Sequence, residues 1–366
     1  PRPTRSCGRY GTMSRLHTPI CDLFGVRYPI VQTGMGWVSG ARLTSATSSA
    51  GGLGILASAT MSLTELEAAV AEVKSRTDAP FGVNLYAGQP DLEERIALIV
   101  REGVKVASFA RAPNRDVISR LRDGGVVTMP TIGAVRHAEK MQEWGVDALI
   151  AQGHEGGGHT GPVPTTLLLP EVCRAVDIPV LGAGGFKDGR GLVAALAYGA
   201  DGIAMGTRFL LTQESTVPEA VKQRYLSTPV TGTVVTTAVD GMPQRVVRTA
   251  LIGRLERASG ASRLRATLGH ALAFRAETGR TVGELLRSAL SLRGNEKITW
   301  SQLMMAANAP MMTKAAMVDG RPDDGILPTG QVTGIIDALP TVQELLDGLI
   351  SEAEAVLEDL GGGVVR

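Results

Sequence analysis

The hydrophobic pattern of the chain repeats. From residue 28 a short apolar run gives way to a turn rich in Gly, Ser and Asn, and then to a stretch with apolar residues at helical spacing. The apolar runs are Pro29–Gln32, Gly52–Ala57, Phe81–Tyr86, Val104–Phe109, Val126–Thr131, Ala148–Gln152, Pro179–Ala183 and Gly202–Gly206. Between them, Ala41–Ala50, Leu63–Arg76, Asp91–Arg101, Arg115–Arg122, Ala134–Trp144, Thr165–Val176 and Gly189–Tyr198 read as helices. Leu63, Leu66, Val70 and Val73 show the 3.6-residue period of a helix laid against a sheet. Strands that alternate with helices predict an α/β fold with a parallel sheet, and eight such units close into a (β/α)8 TIM barrel. A doubly wound open sheet is the rival. It would want an early GxGxxG, and Gly51-Gly-Leu-Gly54 precedes strand two rather than opening a helix after strand one.

After the eighth strand the pattern changes. Between Glu219 and Trp300 thirteen Lys/Arg stand against six Asp/Glu, a local charge of +7 in a chain whose net charge is +1. This predicts a mainly helical subdomain over 214–300 with a basic face: either a solvated surface or a wall that attracts an anion. Residues 13–213 and 301–366 are assigned to the barrel, ending in a helix from Val342 to Leu360. Residues 1–12 are basic and rich in Pro and Gly. They are read as a disordered extension ahead of Met13, which would make a natural start.

Composition narrows the function. An apolar fraction of 44% supports a large core, while 4% aromatics argues against stacking platforms for nucleic acid. The three cysteines, Cys7, Cys21 and Cys173, form no CxxC, which points to a reducing compartment and offers no zinc site. No apolar run approaches the length of a membrane span. A cytoplasmic protein without nucleic-acid or membrane partners is expected.

The candidate chemistry sits where strands end. Gln32 and Met35 follow strand one; Asn84, Ser108 and Thr131 belong to strands three, four and five. Strand six ends in Gln152 and then Gly153-His-Glu-Gly-Gly-Gly-His-Thr-Gly161. That loop admits close approach of a ligand, and its histidines suit proton transfer near neutrality. His159, between Gly158 and Thr160-Gly161, is the candidate acid or base. His154 is read as satisfying a carbonyl or capping a helix. Gly184-Gly185 and Gly206-Thr207, after strands seven and eight, form an expected phosphate cup, each loop entering a helix whose dipole would help. His17, His137 and His270 lie away from strand ends.

These residues carry a likeness. Pro29-Ile-Val-Gln-Thr-Gly-Met35, Gly51-Gly-Leu-Gly54, Pro80-Phe-Gly-Val-Asn84, Ala151-Gln-Gly-His-Glu-Gly-Gly-Gly-His159, Pro179-Val-Leu-Gly-Ala-Gly-Gly185 and Met205-Gly-Thr-Arg-Phe209 run in an order that resembles the nitronate monooxygenase, or 2-nitropropane dioxygenase-like, family of FMN-dependent barrels. The resemblance implies FMN at the barrel mouth, with Met35, Gly36, Asn84, Gln152, Gly157, Ala183, Gly184, Gly185, Gly206 and Thr207 binding it. It implies His159 as the acid or base beside the ring. Gly34 stands where many members have proline. Gln32-Thr-Gly-Met-Gly-Trp-Val38 and Thr231-Gly-Thr-Val-Val-Thr-Thr237 are similar to an actinobacterial branch associated with steroid-ring catabolism, which works on CoA thioesters.

The expected function is thus an FMN-dependent oxidoreductase acting on a CoA-activated polycyclic or acyl substrate, with Ser108, His154, Arg245, Arg248 and Gln331 on the substrate side. Oxidation of alkyl nitronates is the alternative. Oxygen or NAD(P)H would be the redox partner, and a homodimer is left open. Rivals of other classes are a barrel that only binds a phosphorylated ligand, and a nucleotide dehydrogenase. The latter would need a loop cysteine, which none of the three provides.

Overall fold

The computed structural model describes residues 15–257 and 300–362. Eight strands close on themselves: β1 Ile30–Gln32, β2 Leu53–Ala57, β3 Phe81–Leu85, β4 Val106–Phe109, β5 Val127–Ile132, β6 Leu149–Gln152, β8 Val180–Ala183 and β9 Gly202–Met205. Every neighbour is parallel, and β9 returns onto β1 with Met205 opposite Gln32. A seventh strand, β7 at Gly158–His159, lies outside the ring. All eight apolar runs therefore become barrel strands, and the open-sheet alternative falls away.

Seven crossover helices link them: α2 Ala41–Ser49, α3 Leu63–Arg76, α4 Leu92–Arg101, α5 Arg115–Asp123, α6 Val135–Glu143, α7 Thr165–Ala175 and α8 Gly189–Ala197. Their starts are written in the sequence. Ser62 Oγ accepts from Glu65 N while Glu65 Oε2 accepts from Ser62 N at 2.7 Å, a reciprocal cap for α3. Asn114 and Asp188 cap α5 and α8 in the simpler way. One short helix was not anticipated: α1, Pro19–Phe24. It buries Ile20, Cys21 and Phe24 in the same apolar cluster as Val31, Leu53, Ala148 and Leu181, residues of or next to the barrel strands.

The chain divides into two compact units. The first is the barrel with the C-terminal helix Val342–Gly361, whose start is closed by a Thr341/Glu344 capping box. The second comprises Gly157–Thr160 and Val217–Ile335. Its limits differ from the expected 214–300, because residues after 300 build it. Val247 N donates to the Leu327 carbonyl at 2.9 Å, Thr329 N to the Arg245 carbonyl at 3.2 Å, and Ile326 packs with Val239, Val246 and Ile252.

The described residues of this unit are not helical alone. Besides α10 Glu219–Leu226, α11 Ala250–Arg257 and α12 Trp300–Met317, it holds an antiparallel hairpin, β10 Thr233–Thr236 with β11 Gln244–Val247, and β7 adds to the β11 edge. The hairpin strands are rich in Thr and Val, which suit a pleated surface. Of the basic residues counted earlier, Lys222, Arg224, Arg245, Arg248, Arg254 and Arg257 are described. The others, with His270 and the 1–12 extension, lie outside the described residues.

Candidate active site

Because all eight strands run in parallel, their C-terminal residues gather at one end of the barrel. Gln32 is fully buried there and its amide is saturated: Nε2 donates to Ser39 Oγ at 2.9 Å and to the Thr33 and Ile55 carbonyls, and Oε1 accepts from Ile55 N. Ser39 Oγ in turn accepts from Met35 N at 2.9 Å and donates to the Thr33 carbonyl. Gln32 thus pins the loop that presents Met35 rather than meeting a ligand itself. The loop is tight. A Cβ on Gly34 would stand 2.4 Å from Asn84 Cβ, one on Gly36 would stand 2.9 Å from Thr60 Cγ2, and Trp37 holds φ of 59°, uncommon for a non-glycine residue.

Asn84 and Ser108 are register partners on β3 and β4, and Asn84 Nδ2 donates to Ser108 Oγ at 3.0 Å. This bond orients the amide and leaves its Oδ1 and the Ser108 hydroxyl hydrogen as groups for a flat heterocycle.

Gly184 and Gly185 follow β8 with φ of 95° and 88°, a left-handed pair that turns backbone N–H groups in a way side-chain-bearing residues rarely can. The pair is braced from below. Thr165 Oγ1 lies 2.9 Å from the Gly184 carbonyl and 2.8 Å from Glu155 Oε2, and Glu155 Oε2 also accepts from Thr165 N. Glu155 therefore caps α7, a role Pro164 at the cap position leaves undone. A Cβ on Gly206 would sit 3.2 Å from Thr33 Oγ1 and 3.3 Å from Met35 Sδ, so the β1 and β9 loops touch.

The expected dipole behind Gly206-Thr207 is largely missing, since α9, Thr207–Leu210, is a single turn. The next residue in the chain is charged. Arg208 is buried, donates from Nη2 to the Leu211 and Ala338 carbonyls, and its Nε has no hydrogen-bond partner among the described residues. Burial pulls its guanidinium down to about 10, against the opposing charge of Asp337. Two left-handed glycines and a buried hydroxyl at Thr207 make a donor set suited to a phosphate, while Arg208 ties its own turn to the Ala338 carbonyl.

The second unit holds His159. Its backbone pairs with Gln244 across β7 and β11, and its Nε2 lies 2.7 Å from Asp240 Oδ2. The histidine side chain is 55% exposed, that of Asp240 only 14%. Burial works to raise the Asp240 carboxyl, but the hydrogen bond and charge of His159, Met242 N and the Gln244 side chain together hold it below the ordinary carboxylate range.

Gly157 is held close to protein backbone. A Cβ there would come within 2.5 Å of the Thr329 carbonyl carbon and 2.6 Å of Gly330 N, so the approach of that backbone demands a glycine. Gly158 has open space around it and a φ of 67°.

The remaining candidates separate. His154 Nδ1 lies 2.8 Å from the Gly161 carbonyl. Gln331 is half-buried and begins a 3-10 segment, Gln331–Ile335. Arg245 is 4% exposed and donates to Thr233 Oγ1 at 2.9 Å, whereas Arg248 on the same hairpin is exposed. The two do not form one anion-binding surface. Asp240 was missed from the sequence, although Asp240-Gly241 between two β-branched runs is a hairpin signal.

A closed parallel barrel with a phosphate-ready glycine pair and polar strand ends defines an α/β-barrel enzyme. The chain belongs to the nitronate monooxygenase family, which it matches over residues 17–352, and is therefore an oxidoreductase. Membership implies a flavin. It is 57% identical over 93% of its length to a (3aS,4S,5R,7aS)-5-hydroxy-7a-methyl-1-oxo-octahydro-1H-indene-4-carboxyl-CoA dehydrogenase of Mycobacterium tuberculosis, covering 96% of that protein. Identity to the Rhodococcus jostii protein of the same name is 54%, over 95% of this chain and 99% of that one. Among solved structures, FabK from Thermotoga maritima is similar with a TM-score of 0.75 at 32% identity, covering 95% of this chain and 99% of FabK. A nitroalkane oxidase from Streptomyces ansochromogenes gives 0.72 at 28%, covering 93% and 99%.

Proposed function

We propose that this chain is an FMN-dependent dehydrogenase of a CoA thioester carrying a compact hydroxylated bicyclic acid. The observation that carries the reading is the 57% and 54% identity, nearly end to end, to two proteins named as dehydrogenases of such a CoA thioester. A probable nitronate monooxygenase of Staphylococcus saprophyticus is 30% identical over 66% of the chain.

In this reading Gly184, Gly185 and Thr207 hold the FMN phosphate through backbone N–H groups and a hydroxyl. Asn84, Ser108 and Gln152 meet the polar edge of the ring, and Met35 lies against its apolar part. Bound FMN supplies a two-electron acceptor for hydride. His159 takes the proton from the carbon beside the thioester carbonyl, the position that carbonyl acidifies. Exposed Arg248, Arg254 and Arg257 supply cationic forks for the phosphates of CoA. Arg245, being buried, shapes the hairpin instead. The basic subdomain expected over 214–300 thus contributes to CoA binding through its exposed arginines.

The test is anaerobic titration of the FMN-loaded protein. Stoichiometric bleaching of the flavin by such a thioester is expected. Bleaching by alkyl nitronates, with the thioester inert, would replace this reading with nitronate oxidation.

A further inference from the structure

We infer that Asp240 is the positioning residue for His159: it fixes the imidazole's orientation and keeps a proton on Nε2. The inference deepens the proposed function, and its kinetic part rests on it. An ionised carboxylate can only accept hydrogen bonds, so at 2.7 Å from Asp240 Oδ2 the ring nitrogen Nε2 must donate.

An ordinary surface ion pair is a poor account of this contact. Such pairs join two exposed side chains and contribute about 0–1 kcal/mol. Here the carboxylate is largely buried and held from other sides. Its Oδ1 accepts from Met242 N at 3.0 Å, and the Gln244 side chain also hydrogen-bonds to it. Gln244 is the register partner of His159, and Thr160 N donates to the Pro243 carbonyl at 3.1 Å. The β10–β11 turn therefore grips the backbone on both sides of the imidazole as well as the ring. Asp240 is the one charged residue of the turn 237–243. Arg245, opposite Gly158 on β11, donates to Thr233 Oγ1.

The experiment uses the full chain with FMN bound and the variant Asp240→Asn. The first readout is the ¹⁵N spectrum of the histidine rings, five in all, with His159 assigned by its loss in His159→Ala. In the parent protein the neutral His159 ring is expected to carry its proton on Nε2. In Asp240→Asn the amide can donate to Nε2, and the proton is expected to move to Nδ1. The second readout is turnover of the thioester. A fall in kcat of about 10–100-fold is expected, with KM and flavin content within about twofold and partial recovery in Asp240→Glu; this lies inside the whole contribution of an acid–base residue.

An unchanged tautomer, or an unchanged kcat in a parent that turns over the thioester, overturns the role. A parent that fails to reduce its flavin sinks the functional reading instead, while the ring spectrum still decides the part played by Asp240. Should the Asn variant not fold, Gln244→Ala removes one donor to the same carboxylate. The same displacement, smaller, is then expected, and no displacement counts against the inference.

Discussion

Asn84 on β3 donates its amide hydrogen to Ser108 on β4 across 3.0 Å, between residues that are register partners in the barrel. The consequence is a fixed amide at the strand ends. Ser108→Ala should release that amide and weaken FMN retention by roughly tenfold, about the 1.4 kcal/mol attached to one oriented hydrogen bond. Fluorescence titration of the apoprotein with FMN checks it, and unaltered affinity would show the contact to be incidental.

Gly184 and Gly185 provide a sharper test of the phosphate cup. Both hold left-handed φ, and a Cβ on Gly184 would meet Gly156 N at 3.0 Å. Gly184→Ala is expected to cost about 1–2 kcal/mol in stability and to purify with little flavin. A yellow, fully loaded variant would count against the cup.

His159→Ala should retain FMN and lose about 10²–10⁴ in kcat. Anaerobic stopped-flow measurement of flavin reduction separates that loss from weakened binding. Reduction at the parent rate would remove His159 from the chemistry.

Two glycines one residue apart should fail for different reasons. Gly157→Ala forces a Cβ into the Thr329–Gly330 backbone and is expected to cost about 1–3 kcal/mol. Gly158→Ala meets no atom and pays only for its left-handed backbone, about 1 kcal/mol. Urea unfolding of both gives the order, and equal values would mean the backbone at 329–330 moves aside.

Acid should loosen the His159–Asp240 contact. The folded carboxyl titrates below its usual range, so the stabilisation it brings is present above the unfolded carboxylate pKa and is lost as pH falls through the lower, folded one. Stability measured from pH 6 downward should decline less steeply in Asp240→Asn than in the parent. Parallel curves would assign the acid sensitivity to other groups.

The barrel was legible because each strand and helix is a local statement. Apolar runs such as Leu149–Gln152 end in glycine or polar residues, and helices such as Leu63–Arg76 open on a cap three residues from a glutamate. The hairpin was less so. Thr233–Thr236 and Gln244–Val247 are only four residues each, in a region whose charge and helical spacing dominated the reading. β7 could not be read at all: a Gly-His pair becomes a strand only because Gln244 and Arg245 come to lie beside it. Asp240 meets His159 for the same reason, across 81 residues of chain. Arg245 misled because a count of basic residues does not distinguish a buried guanidinium from an exposed one.

The imidazole takes its place from a two-residue strand on the edge of a small three-stranded sheet, not from the barrel ring. Its steadiness is therefore borrowed from a hairpin, and substitutions tens of residues away in sequence can shift the imidazole while leaving the barrel strand ends untouched. Directed evolution of new substrates in this scaffold would find its adjustable screw at 237–243.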